Sequence, residues 1–161
     1  MSGAEGGYQL AQVNIGRIKG ALESPVMAGF VARLDEINAL ADSAPGFVWR
    51  LQTEAGNATY LRPYEDERIL FNLSVWRTVE ALRDYVYRTA HAELLRGREQ
   101  WFTRFDGAYV ALWWVVSGHV PSVDEAKARL AHLQEHGPTP FAFTLKVPFP
   151  PAEPGGGVTK G

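Results

Sequence analysis

Several side chains in this sequence can do chemistry if the fold brings them together. His91 is of the one side-chain type suited to act as a base near neutral pH, and it can also take an iron. It can equally be a half-buried histidine bonded to a backbone carbonyl. Asn14 sits among apolar residues in an alternating segment, and a buried amide must find partners. It therefore either orients a ligand or belongs to a structural network. Asn72 has the same character on a second strand. Arg98 shares the His91 face by helical counting and suits a carboxylate or phenolate. An ordinary salt bridge with Glu93 or Asp84 is its other reading. Tyr85 and Tyr87 can each donate a hydrogen bond to a substrate oxygen or simply pack. Trp49, Trp76, Trp101, Trp113 and Trp114 can wall a flat aromatic pocket or fill core and interface. Trp76, Trp101 and Trp113 join Arg98 and Asn72 as expected substrate contacts.

Other combinations fall away. His132 and His136 have metal-ligand spacing but lack a third ligand, so they read as surface residues, and His119 sits in a turn. There is no Walker loop, no dinucleotide fingerprint and no GxSxG elbow. The absence of cysteine removes disulfides, thiolate nucleophiles and Cys-ligated metals. It also fits a reducing cytoplasm. The first residues, MSGAEGG, have neither the basic nor the apolar region of a secretory leader. The longest apolar run, Tyr109 to Val116, is too short to span a bilayer. Net charge is −2 with no basic block, so neither nucleic acid nor membrane is an expected partner.

The elements that must position these residues are legible. Tyr8 to Ile15 alternates with strand period: Ala11, Val13 and Ile15 on one side, Leu10, Gln12 and Asn14 on the other. Ser24-Pro25 predicts a helix start, with Ser24 as N-cap, for a stripe including Phe30, Leu34 and Ile37. Phe47 to Leu51 and Arg68 to Trp76 read as strands joined by a long polar hairpin connection. Thr78 caps the next helix, which carries Tyr85, and His91 to Phe102 is expected to continue helically. Tyr109 to Val116 is apolar on both faces, as in a strand covered on both sides. Ser122 to Glu125 is a capping box, and Gly137-Pro138 ends that helix. Phe141, Phe143, Leu145 and Val147 alternate as a last strand.

The order is β-α-β-β-α-β plus an extra C-terminal helix and strand, an α+β, ferredoxin-like antiparallel sheet. Its strands are apolar on both faces while helices cover one, which predicts a homodimer with sheets facing. One domain spans 8–147, after a flexible lead over 1–7 and before a disordered Pro/Gly-rich tail over 148–161.

LAQVNIGRIKG, PGFVWRLQ, LSVWRTVEALRDYVYRTAHAELLRGREQWF, ALWWVVSGHVPSVDEAKARL and HGPTPFAF resemble the bacterial family called "domain of unknown function 3291", from about Leu10 to Phe149. That resemblance implies the dimeric α/β-barrel superfamily, which includes cofactor-independent antibiotic-biosynthesis monooxygenases, haem-degrading monooxygenases and chlorite dismutases. Haem-degrading members use an Asn of the first strand, a Trp of the second main helix and a His farther on. Asn14 and His91 match the first and last; Tyr85 stands at the Trp position, a departure. The resemblance implies a monooxygenase-like protein that binds or oxidises a planar aromatic or hydrophobic molecule between sheet and helices. Its catalytic residues would be His91, Asn14 and Tyr85, with no cofactor or with haem held by His91. The alternatives are a non-catalytic haem binder using His91 and a structural or regulatory dimer.

Overall fold

The structure, a computed structural model, describes residues 7–52, 63–66, 68–89, 92, 96–104 and 107–151. A four-stranded antiparallel sheet is its frame. The central strand β1 (Tyr8–Arg17) pairs with β3 (Ile69–Trp76) on one side and β4 (Val110–Val116) on the other; β2 (Phe47–Arg50) lies outside β3. The spatial order β2-β3-β1-β4 is the ferredoxin-like arrangement. Helices α1 (Ala28–Asp42) and α2 (Val79–Arg88) complete the βαββαβ unit, and α3 (Val123–His136) follows it.

Strand period assigns each side chain to a face. Ala11, Val13 and Ile15 of β1 join Phe71, Leu73 and Val75 of β3 and Ala111, Trp113 and Val115 of β4. All are buried, and Ala126, Leu130 and Leu133 of α3 belong to the same cluster. The other face, with Leu10, Trp76 and Leu112, packs on Ile37 and Ala41 of α1 and on Leu82 and Tyr85 of α2. The apolar face that argued for a second copy is thus covered within the chain by α3. A buried leucine here contributes roughly 1.5–3 kcal/mol, so Leu130 and Leu133 hold α3 down firmly.

Local signals explain most helix ends. The Thr78 side chain accepts from Ala81 N at 3.0 Å, and Glu80 lies in the first turn of α2, where the dipole favours an acid. The Ser122–Glu125 capping box is present, and Gly137, with φ +78°, closes α3. Ser24 behaves differently from the expected N-cap. Its hydroxyl donates to Ala21 O at 2.6 Å, and Pro25 opens a 3-10 turn over Pro25–Met27 that leads into α1. A local turn has taken the side chain that the cap required.

The expected last strand also differs. Phe143 N and O exchange two 2.8 Å hydrogen bonds with Leu112, but the pairing stops there. Thr139 and Ala142 close one turn, and the Thr144 hydroxyl accepts from Val147 N in another. The alternation therefore does not share a face: Phe143 is buried, Phe141 and Val147 are exposed. Order also continues past Pro148. The Phe149 ring lies 5.9 Å from that of Phe143, and its carbonyl accepts from Trp114 Nε1 at 2.8 Å. The helical continuation over 91–102 is described mainly at its end, where Arg98–Gln100 form a 3-10 turn and Phe102 bridges to Ile18. No helix among the described residues is long and apolar enough to cross a membrane.

Candidate functional site

A cavity of about 420 Å³ lies between the β1/β3 face and helices α1 and α2. Phe30, Leu34 and Ile37 of α1 and Leu82 of α2 give it apolar walls; Thr144, Leu145 and Lys146 border it from the C-terminal run. Its floor is polar. In the antiparallel register Asn14 stands opposite Asn72, Gln12 opposite Ser74, and Leu10 opposite Trp76. Even-numbered positions of both strands thus deliver four hydrogen-bonding side chains to one face.

These side chains bind one another. Gln12 Nε2 donates to Asn72 Oδ1 at 2.7 Å and to Ser74 Oγ at 2.8 Å. Asn14 Nδ2 donates to Gln12 Oε1 at 3.1 Å and to Asn72 Oδ1 at 3.2 Å. Trp76 Nε1 donates to Ser74 Oγ at 2.8 Å. Gln12 and Ser74 are buried, whereas Asn72 opens towards solvent through the cavity. The row is held by packing below and faces free space above.

Trp76 ends the row. Its ring is buried, edge-on to Phe47 at 5.4 Å, with the Tyr85 ring 5.1 Å away. Tyr85 borders the cavity, but its hydroxyl donates to Ile37 O at 3.0 Å and so ties α2 to α1. Burial pushes its pKa well above the ordinary phenol value; Arg50 lowers it a little and Asp42 raises it a little. It therefore stays protonated across the physiological range. Arg50 also reaches the wall, with its side chain only 11% exposed, and makes a two-pronged contact to Asp42: Nε to Oδ1 at 2.7 Å and Nη2 to Oδ2 at 3.2 Å.

The far end is built differently. The Arg98 guanidinium lies 4.6 Å from the Tyr109 ring centre and 4.8 Å from that of Phe102. Gly16 allows this approach: a Cβ there would stand 2.7 Å from two Phe102 ring carbons.

Asn14, Asn72, Trp76, Tyr85 and Arg98 therefore come together around one space. Two expected contacts do not. Trp113 points to the opposite face, fully buried, with Nε1 donating to Glu125 Oε2 at 2.9 Å. Trp101 packs in a satellite cluster with Ile18, Leu22, Met27 and Phe30. Trp49 belongs to the α3-covered core, so Trp76 is the one tryptophan of five that lines the cavity. His91 lies outside the described residues. Gln12 and Arg50 went unremarked as site residues. Gln12 carried the same two-residue spacing as Asn14, and Arg50 was a charge in an otherwise apolar strand.

Among the described residues, no three His, Cys, Asp or Glu side chains gather as metal ligands. The His132 and His136 rings on α3 are 4.4 Å apart, the His132 ring stands 4.7 Å from that of Phe141, and neither histidine lines the cavity. Among the described residues the cavity wall has no histidine, cysteine or methionine, and the Tyr85 hydroxyl is engaged with Ile37 O.

Fold and cavity together define a ferredoxin-like α+β domain with an amide-floored pocket. The family described as "Domain of unknown function (DUF3291)" matches residues 9–155, and this chain belongs to it. Among curated proteins none matches this sequence. Similar solved structures include a variant of SnoaB, a cofactor-independent oxygenase from Streptomyces nogalater, at 16% identity and TM-score 0.46, covering 70% of this chain and 95% of that one. A protein of unknown function from Nitrosomonas europaea is similar at 12% identity and TM-score 0.45, covering 73% and 98%. The monooxygenase ActVA-Orf6 of Streptomyces coelicolor, solved with nanaomycin D, is similar at 14% identity and TM-score 0.39, covering 74% and 96%.

Proposed function

We propose that this chain is a monooxygenase-like small-molecule-binding protein that holds a planar, partly polar aromatic ligand between its sheet and α1/α2. The cavity carries the proposal: an apolar enclosure of about 420 Å³ with a few convergent polar groups on one wall has the size and make-up of a ligand site. Asn14 and Asn72 hold the ligand's polar edge, Trp76 closes one end, and Arg98 offers a cation at the other. Tyr85 acts through the wall it fixes to Ile37 rather than as an acid or base.

In the oxidising form of this reading the ligand supplies the electrons. A ring CH₂ conjugated with a carbonyl through the fused aromatic rings loses a proton to a base, for which His91 is the candidate, and the carbanion reduces dioxygen. One oxygen atom stays as a new C=O and the other leaves as water. The protein contributes the base, the orientation and the exclusion of bulk water.

Calorimetric titration with 1,8-dihydroxyanthrone, with oxygen uptake followed in parallel, tests this. Expected is saturable binding that a cavity-filling Leu34→Trp variant abolishes while keeping its fold. Oxygen uptake should be lost in His91→Ala with binding retained. Absence of binding by the parent protein overturns the cavity reading; binding without uptake leaves a binder and removes the oxygenase.

A further inference from the structure

The amide row has a direction. Both Gln12 Nε2 hydrogens are engaged, one on Asn72 Oδ1 and one on Ser74 Oγ. Both Asn14 Nδ2 hydrogens are engaged, one on Gln12 Oε1 and one on Asn72 Oδ1. Asn72 Oδ1 thus accepts twice, and Ser74 Oγ accepts from Gln12 and Trp76. Two polar atoms of the asparagines remain without a partner among the described residues: Asn14 Oδ1, an acceptor, and Asn72 Nδ2, a donor.

Gln12 makes the three amides turn over together or not at all, and in either sense the floor ends in one free acceptor and one free donor. Gln12 is 5% exposed and bonded at both ends of its amide. Turning that amide over alone would set its NH₂ against the Asn14 NH₂ and its oxygen against Asn72 Oδ1. Two good bonds would become two like-polarity clashes in a half-dry site, where an unmade bond is costly.

We propose that Gln12 gives the cavity floor one free acceptor and one free donor, so that the site selects planar ligands carrying a carbonyl oxygen and an O–H or N–H on one edge. The ligand's O–H or N–H donates to Asn14 Oδ1, and its carbonyl accepts from Asn72 Nδ2. Lactams and hydroxy-ketones have such an edge. A quinone or carboxylate edge offers acceptors only and leaves Asn14 Oδ1 facing another oxygen. This inference rests on the cavity being a ligand site.

An aspartate at either position leaves an acceptor-only floor: at 72 it still accepts both incoming bonds, and at 14 the other two amides turn over so that it accepts from Gln12 and Asn72. Calorimetry with three probes of one shape reads the polarity: phenanthridin-6(5H)-one, its N-methyl derivative, and phenanthridine. The parent protein should bind the lactam at least about tenfold more tightly than either other probe, the effect of one unpaired polar group. Asn72→Asp and Asn14→Asp should each lower lactam affinity about tenfold. Gln12→Met, similar in length but without an amide, should bring the lactam and N-methyl affinities to within about twofold. A purely steric penalty from the methyl group would survive that substitution. Equal binding of lactam and N-methyl lactam to the parent protein overturns the polarity and leaves the cavity reading standing. Failure of all three probes to bind overturns both.

Discussion

The same three strands present two unlike faces. Towards α3 they offer alanine, valine, isoleucine, leucine, phenylalanine and Trp113, packed without polar interruption apart from the indole N–H that Glu125 receives. Towards α1 and α2 they offer Gln12, Asn14, Asn72 and Ser74 in a row that starts from the Leu10–Trp76 pair, and the helices stand off far enough to leave a cavity. Close packing on the first face supplies stability that the second does without. A sheet that must hold a ligand under one surface needs its rigidity from the other.

That contrast can be broken from the dry side with the largest effect. Trp113→Ala removes a fully buried indole and its bond to Glu125. It should cost roughly 3–5 kcal/mol, read as a fall in urea midpoint, with ligand affinity little changed in the fraction that stays folded. An equal loss of affinity at low denaturant would show that the faces are not independent. A smaller effect is expected at Gly16, where an added methyl meets the Phe102 ring. Gly16→Ala should cost roughly 1–3 kcal/mol and shift the aromatic signals of Phe102 and Tyr109, because that ring also positions Arg98.

The smallest effect is electrostatic. Burial opposes ionisation of Glu125, but hydrogen bonds from His119 and Trp113 outweigh it and hold the carboxyl below its ordinary 4.5. A depressed carboxylate stabilises the fold above its unfolded pKa, and that share is lost as pH falls through the lower folded value. Glu125→Gln should therefore flatten the decline in melting temperature below pH 4.5. An unaltered acid slope would move the cause elsewhere.

Much of the fold was legible because its signals are local. Alternation in β1 and β3, the Thr78 cap and the Ser122 capping box each need only a few neighbouring residues. The site was legible where face assignment followed from the same alternation, as for Asn14, Asn72 and Trp76. It failed where a partner is distant. Two adjacent tryptophans in an all-apolar strand look alike until pairing places Trp113 opposite Ala11. Trp101 was counted on a helical face, but the chain there turns as a 3-10 segment. Tyr85 sits on the expected side, yet what engages its hydroxyl is the Ile37 carbonyl, which no side-chain pattern announces.

The C-terminal run is docked by its backbone. The Phe141, Phe143, Leu145 and Phe149 carbonyls accept from Arg129, Leu112 N, Arg83 and Trp114, and Phe143 N donates to Leu112 O. The side chains of Leu145 and Lys146, which border the cavity, take no part in these bonds. Attachment and selectivity are thus written in different atoms of one segment. Substitutions at these two positions can therefore reshape the cavity border while the backbone attachment stays in place.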